Sequence, residues 1–301
     1  MLVVDLRRLE LLLELSRLGS MREVAETLNV TTSTVSQQIA ALGREVGSPL
    51  VEPEGRRVRL TPAGRRLADH AVTILAAVEA ARADLDPSAA PVGDLRVAAY
   101  ATAVRRFLLP VARQLAELHP AVRLLIHEHE PDEALDLLLA DDVDLALTYD
   151  YDLAPATPDP LLTAVPLSST RWALGVPAPA PDVPGDSLAV LDRFRDEDWI
   201  VNSRNVADEQ VVATLASLAG FRPRIAHRAD SLELVQDMIL AGLGVGLLPA
   251  DQPTLDGVAL CPLPDPEVVL RGFAVTRRGR AEWPPLALVL GLLTDRGPSR
   301  S

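Results

Sequence analysis

The segment 20–61, SMREVAETLNVTTSTVSQQIAALGREVGSPLVEPEGRRVRLT, constrains this chain more than any other because several local signals follow one another in it. Ser20 stands three residues before Glu23, a spacing at which the two cap each other's backbone amides and open a helix. Asn29 tolerates a left-handed backbone and marks a turn. From Thr32 a second helix carries Val35, Ile39, Leu42 and Val46 at spacings of four, three and four, which places them on one face. Ser33, Gln37, Ala40 and Arg44 fall on the other.

The exposed N-terminal half of that second helix, with Thr31, Thr32, Ser33, Ser36 and Gln37, suits base edges and phosphates in a major groove. Taken alone, such a face reads better as ordinary solvated surface, since many helices carry Ser and Gln outward. The next residues change the balance. PLVEPEGRRVRLT reads as two short strands around the turn Pro53, Glu54, Gly55, with Val58 and Leu60 inward and Arg56, Arg57 and Arg59 on the ribbon. Guanidinium groups on one hairpin suit phosphate or minor-groove contact. Thr61 then caps a third helix with Pro62 at its first position. The order of these parts predicts a mainly α winged helix-turn-helix over residues 1–61.

The same parts carry a resemblance to the LysR-type transcriptional regulators: a turn followed by VTTSTVSQQIAAL, the entry GSPL, an Arg-rich wing and the helix start LTPAG. The chain departs from that pattern at Thr32, at Gln37, and at Val51, Glu52 and Pro53. The resemblance implies double-stranded operator DNA as partner, a homodimer or homotetramer, a small-molecule effector, and RNA polymerase as a further contact.

Residues 62–85 read as one helix in which Leu67, Ala71, Ile74, Val78, Ala81 and Leu85 recur as a heptad seam. In the resembled family this linker helix, here 62–86, pairs two subunits. Asp86, Pro87, Ser88, Ala89, Ala90 and Pro91 interrupt it, with 87–91 as a hinge.

Beyond the hinge, strands expected over 95–100, 122–127, 143–149, 172–176, 199–202, 225–227, 245–248 and 268–275 alternate with helical segments, an α/β pattern. The resemblance implies a two-lobed periplasmic-binding-protein-like effector domain over 92–301, with lobe I from 92–164 and 265–301 and lobe II from 165–264. Ligands of open α/β sheets sit at the carboxyl ends of strands. That rule selects Tyr100, Thr102, Thr148, Asn202, Ser203, Arg204 and Ser231. Arg204 would favour an organic anion if it faces inward. For each of these residues the mundane role is the more natural one: Ser231 caps its helix, Thr148 satisfies a local backbone group and Arg204 stands in solvent.

Charge divides along the same line. The formal net charge is −13, yet residues 1–66 carry ten arginines against eight acids, so the remainder holds −15. A basic end facing DNA and an acidic body facing away follow, with affinity depending on more than one reading head. The chain contains no lysine, which excludes Schiff-base chemistry and a Walker A lysine. Its single cysteine, Cys261, permits no internal disulfide and reads as an apolar filler.

Other patterns carry less. His127, Glu128, His129 and Glu130 alternate faces on an extended segment and do not complete a metal site. Gly242, Gly244 and Gly246 follow a helix and read as a turn, unlike a dinucleotide fingerprint. Asp141, Asp142 and Asp144 read as a solvated turn. No catalytic constellation, cofactor motif, signal peptide or membrane-length apolar run is evident, so a cytoplasmic regulator, not an enzyme, is expected. An enzyme on the two-lobed fold, a binding protein without regulatory output, and a regulator with a vacant pocket remain alternatives.

Overall fold

The computed structural model describes residues 4–54, 57–85, 90–183 and 185–295, with only the backbone of Arg57, Ala83 and Asp84. The N-terminal part packs α1 (Leu6–Leu18), α2 (Met21–Thr27) and α3 (Thr32–Glu45), followed by the hairpin β1 (Val51–Glu54) and β2 (Arg57–Leu60). The first helix, absent from the sequence expectations, is capped by Asp5 and ends at Gly19 with φ +64°. Its Leu9, Leu11, Leu12 and Leu15 meet Val24, Val35, Ile39 and Leu42 in one core. The Ser20 cap works in one direction only: its Oγ accepts from Glu23 N–H at 3.4 Å while Glu23 stays exposed. Asn29 takes the left-handed turn, φ +52°.

Helix α4 (Pro62–Leu85) is locked to the hairpin at its first turn. Thr61 Oγ1 accepts from Gly64 N–H at 3.0 Å and donates to the Pro49 carbonyl at 2.7 Å. Gly64 permits this approach, since a Cβ there would stand 2.1 Å from the Leu50 carbonyl oxygen. The buried stripe of α4, Ala68, Ala71, Val72 and Ala76, shares only Ala71 with the heptad seam, and Ala68 and Ala71 belong to the N-terminal core. Leu67 also packs there, so the first seam positions face inward within the chain. Ile74 and Leu85 remain exposed, as does Ala81, with Val78 half-buried.

The remaining elements build a sheet of nine strands among the described residues. They are β3 (Gly93–Ala99), β4 (Val122–Glu128), β5 (Leu145–Tyr151), β6 (Leu162–Pro177), β7 (Asp198–Val201), β8 (Arg224–Arg228), β9 (Val245–Pro249), β10 (Val258–Cys261) and β11 (Val268–Arg277). The order is β4-β3-β5-β11-β6-β9-β7-β8, with β10 also on β6. One three-strand parallel unit therefore occurs twice, as β4-β3-β5 and as β8-β7-β9. In each unit the strand earliest in the chain is central, so the two central strands mark topological switch points.

The lobes are joined through β6 and β11, antiparallel to each other, β11 pairing with β5 of the first unit and β6 with β9 of the second. The passage near residue 164 thus lies inside a strand. Only 172–176 of β6 was expected, because Ser168, Ser169 and Thr170 interrupt the apolar run that the sequence rule needs. Helices α5 (Ala101–Ala103), a π-helical segment Val104–Leu108, α6 (Leu109–Leu118), α7 (Pro131–Leu139) and α11 (Pro284–Thr294) cover lobe I. Helices α8 (Ser187–Arg193), α9 (Ala207–Leu218) and α10 (Leu232–Leu240) cover lobe II. Gly242 and Gly244 form the expected helix-to-strand turn with φ +72° and +145°, and a Cβ on Gly244 would meet the Asp198 carbonyl at 2.2 Å.

The acidic turn at 141–144 departs from expectation. Asp144 is buried in a bidentate pair with Arg96 at 2.9 and 3.0 Å, and Asp141 is buried 3.6 Å from Arg277. Arg277 also reaches Asp69 of α4 at 2.5 Å, and Thr73 donates to the Arg278 carbonyl at 3.2 Å. Only Asp142 is exposed. Of the carboxylates that looked solvated, Asp141 shares Arg277 with Asp69 of the linker helix, and Asp144 pairs within the effector domain.

Candidate nucleic-acid interface and ligand cleft

The opening of α3 presents Thr31, Thr32, Ser33, Ser36 and Gln37, all exposed. Thr31 is the N-cap: its Oγ1 accepts from Thr34 N–H at 3.1 Å and lies 2.8 Å from the Ser33 and Thr34 hydroxyls. It therefore holds the helix end, while the side chains of Thr32, Ser36 and Gln37 make no hydrogen bond among the described residues. Gln38 on the flank accepts from Arg8 at 2.8 Å. On the wing, Arg59 is 2.9 Å from Glu52 and 3.9 Å from Glu54, so part of the ribbon's positive charge is balanced locally. Arg56 and the side chain of Arg57 lie outside the described residues.

The second site is a cavity of about 250 Å³ between the lobes. It lies where both central strands end: Tyr100, Thr102 and the π-helical Arg105, Arg106 and Phe107 follow β3, and Asn202 follows β7. The π-helical segment thus contributes three consecutive residues to the cavity lining. Tyr100, Thr102, Asn202 and Ser231 line the cavity as the strand-end rule expects. Ser231 also caps α10, accepting from Leu234 N–H at 3.3 Å.

Three expected residues stand elsewhere. Thr148 is buried on β5 and does not line the cavity, for period-two alternation turns its neighbour Tyr149 there instead. Ser203 hydrogen-bonds Asp230 through backbone and hydroxyl. Arg204 is bound outside the cavity, with Nε 3.2 Å from Glu133, a second contact to that carboxylate, and Nη1 3.6 Å from Asp230. The Arg204 contact holds the Glu133 carboxyl down at about 2. It also removes the ground for an inward-facing anion site.

The sequence reasoning missed Glu130, Tyr149, Trp172 and Asp208. Glu130 follows β4 and Tyr149 ends β5, so the strand-end rule reaches both; Glu130 was instead weighed with the histidines as a metal pattern and set aside. Its face is the relevant one: Glu128 and Glu130 line the cavity, while His127 and His129 stack with ring centroids 6.5 Å apart. Among the described residues no three His, Cys, Asp or Glu side chains are placed to hold one metal ion.

Contacts between the lobes cross this cavity. Asn202 Nδ2 of lobe II reaches, at 3.4 Å, the Glu130 oxygen to which Tyr149 of the same lobe as Glu130 donates at 3.1 Å. Tyr151 donates to Asp208 at 2.9 Å, and Arg105 meets Glu233 at 3.0 Å. Burial pushes the Glu130 carboxyl up to about 7 against the relief of the Tyr149 bond, and desolvation takes Asp208 to about 6. Burial likewise raises the Tyr100, Tyr149 and Tyr151 hydroxyls.

Comparisons with known proteins identify the family of both domains. Residues 6–65 match the bacterial regulatory helix-turn-helix protein of the lysR family, and residues 88–298 match the LysR substrate binding domain. The DNA-binding transcriptional dual regulator OxyR of Escherichia coli (strain K12) is 29% identical over 279 residues, 88% of this chain and 86% of that protein. The transcriptional dual regulator GltC of Bacillus subtilis (strain 168) is 26% identical over 247 residues, 79% and 81%. In fold, a full-length OxyR variant from Pseudomonas aeruginosa aligns with TM-score 0.71 at 21% identity, covering 98% of this chain and 94% of that one. CbnR in complex with its target DNA aligns with TM-score 0.52 at 21% identity, covering 97% and 99%. The chain belongs to the LysR family and is a DNA-binding transcriptional regulator with an effector-binding domain, not an enzyme.

Proposed function

We propose that the protein reads its operator through Thr32, Ser33, Ser36 and Gln37 of α3, with Thr31 fixing the helix end and Arg56, Arg57 and Arg59 contacting phosphate. The observation that carries this reading is the row of exposed, uncommitted hydroxyl and amide groups at the start of α3 beside a basic hairpin. Residues 1–61 act as the reader, 62–86 as linker, 87–91 as hinge and 92–301 as effector domain. Two or four copies assemble in the cytoplasm through the exposed remainder of the seam, Ile74, Val78, Ala81 and Leu85, and contact RNA polymerase at the promoter.

Effector binding changes operator contacts only as far as the ligand prefers one closure state of the lobes. The Arg277 and Thr73 contacts give that change a route to α4. A disulfide switch within one chain is excluded by the single cysteine, and burial raises the Cys261 thiol away from its reactive form.

The test is a gel-shift titration on the DNA upstream of the protein's own gene, with an unrelated competitor, at two salt concentrations. Selective retention that weakens with salt supports the reading. Equal retention of the unrelated fragment contradicts it.

A further inference from the structure

Two carboxylates that face the cavity, one from each lobe, form no ion pair with an arginine among the described residues. Glu130 of lobe I is 6% exposed, and its hydrogen bonds come from neutral donors, Tyr149, Asn202 and the Glu133 backbone N–H of the α7 capping box. Asp208 of lobe II is satisfied by the Tyr151 hydroxyl and the Asn202 backbone N–H. The cations nearby are otherwise engaged: Arg204 lies with Glu133 and Asp230, and Arg105 with Glu233. An uncompensated buried carboxylate is costly, and a cation of the right size removes that cost.

The walls suit the same class of ligand. All three tyrosines of the chain gather here, Tyr100 edge-on to Tyr149 at 4.7 Å and Tyr151 edge-on to Trp172 at 5.6 Å. Tyr100, Tyr149 and Trp172 line the cavity, and Trp172 is 9% exposed with an indole N–H that has no partner among the described residues. Aromatic faces beside carboxylates attract ammonium and related groups. An organic anion would instead have to approach both acids. Among the lining cations only Arg106, which leans on the Phe107 ring and lies 3.4 Å from Thr170 Oγ1, is not bound to an acid.

Resting on the reading of this cleft as the effector site, we propose that its ligand is a small organic cation, its protonated nitrogen between Glu130 and Asp208 and its carbon skeleton against Tyr100, Tyr149 and Trp172. Because the two acids belong to different lobes, such a ligand draws the lobes together. Arg106 can hold the carboxylate of a zwitterion, so a free amine and an amino acid share the recognised group.

The binding should strengthen with pH up to about 7, as Glu130 ionises. Arg204 favours that ionisation, while Asp208 and Asp230 oppose it and Tyr149 stabilises the charged form.

The test uses the full chain and matched probes: phenethylamine, phenylalanine and 3-phenylpropionate, with butylamine, norvaline and pentanoate as the aliphatic set. Calorimetry at millimolar ligand and thermal-shift measurements are made at pH 5.5 and pH 8. Binding of amines or amino acids, stronger at the higher pH and weakened about tenfold or more in both Glu130→Gln and Asp208→Asn, supports the proposal. Circular dichroism of both variants guards against misfolding, and the pH series on the unaltered protein stands without them. Binding of the carboxylates alone, failure of every nitrogen-bearing probe, or amine binding indifferent to pH and to both substitutions overturns it. Amine binding of the expected kind that leaves operator affinity unchanged keeps the ligand class and removes the regulatory reading.

Discussion

The reader and the cleft solve recognition in opposite ways. The reader is contiguous and exposed, its polar groups left open by a short helix whose other face is core. The cleft is assembled from residues between Tyr100 and Leu270, and its polar groups are partly buried and bonded across two lobes. An exposed face tolerates change in its own side chains but depends on the backbone beneath it. A buried site depends on the charge state of its own groups. The contrast teaches that damage to the two regions should differ in kind as well as in size.

The sharpest break is Gly64→Ala. A Cβ placed 2.1 Å from a backbone oxygen must separate α4 from the hairpin, at a cost of about 3 kcal/mol. Thermal denaturation should show it, with operator binding lost and probe binding in the cleft retained. Loss of both would show that the two regions do not fold separately. Next is Arg277→Ala, which leaves buried Asp141 and the α4 carboxylate of Asp69 without their shared partner, for about 2 kcal/mol. A melting temperature unchanged by that substitution would remove the route from cleft to linker.

Glu130→Gln acts through pH. A carboxyl raised from 4.5 to about 7 in the folded protein binds its proton more tightly than in the unfolded chain. Its burial therefore lowers stability as pH rises from about 4.5 to 7, and the amide removes that decline, a gain of about 1–2 kcal/mol at pH 8 and little at pH 4. Equal melting temperatures at pH 8 would contradict the unpaired charge. Gln37→Ala should leave folding intact and change preference at one base pair by about 1 kcal/mol, read by operator variants in a gel shift. The smallest effect is expected of Arg59→Ala, since Glu52 already balances that guanidinium: a reduction of the salt slope of less than about 1. A larger drop would mean that Arg59 leaves Glu52 on DNA.

How much of this the sequence carried differs by region for the same reason. In α3 the apolar spacing and the cap lie within one turn of each other, so face and helix start could be read together; Val35, Ile39 and Leu42 are all fully buried. The seam of α4 was harder, because small residues satisfy two packing patterns at once, and Ala71 packs within its own chain. In the effector domain, strand ends led to Tyr100, Thr102, Asn202 and Ser231. They did not separate Thr148 from Tyr149, because one residue of register decides which faces the cavity. Arg204, Asp141 and Asp144 were misjudged because their partners lie far along the chain, at Glu133, Arg277 and Arg96.

The most direct test of two surfaces with separate chemistry is hydrogen–deuterium exchange of the full chain, alone, with the selected operator duplex, and with phenethylamine. Operator should slow exchange most in α3 and the hairpin, whereas the amine should slow it most around 128–133, 200–210 and 229–235. Operator protection centred on those cleft segments with none in α3, or amine protection outside them, would contradict the account.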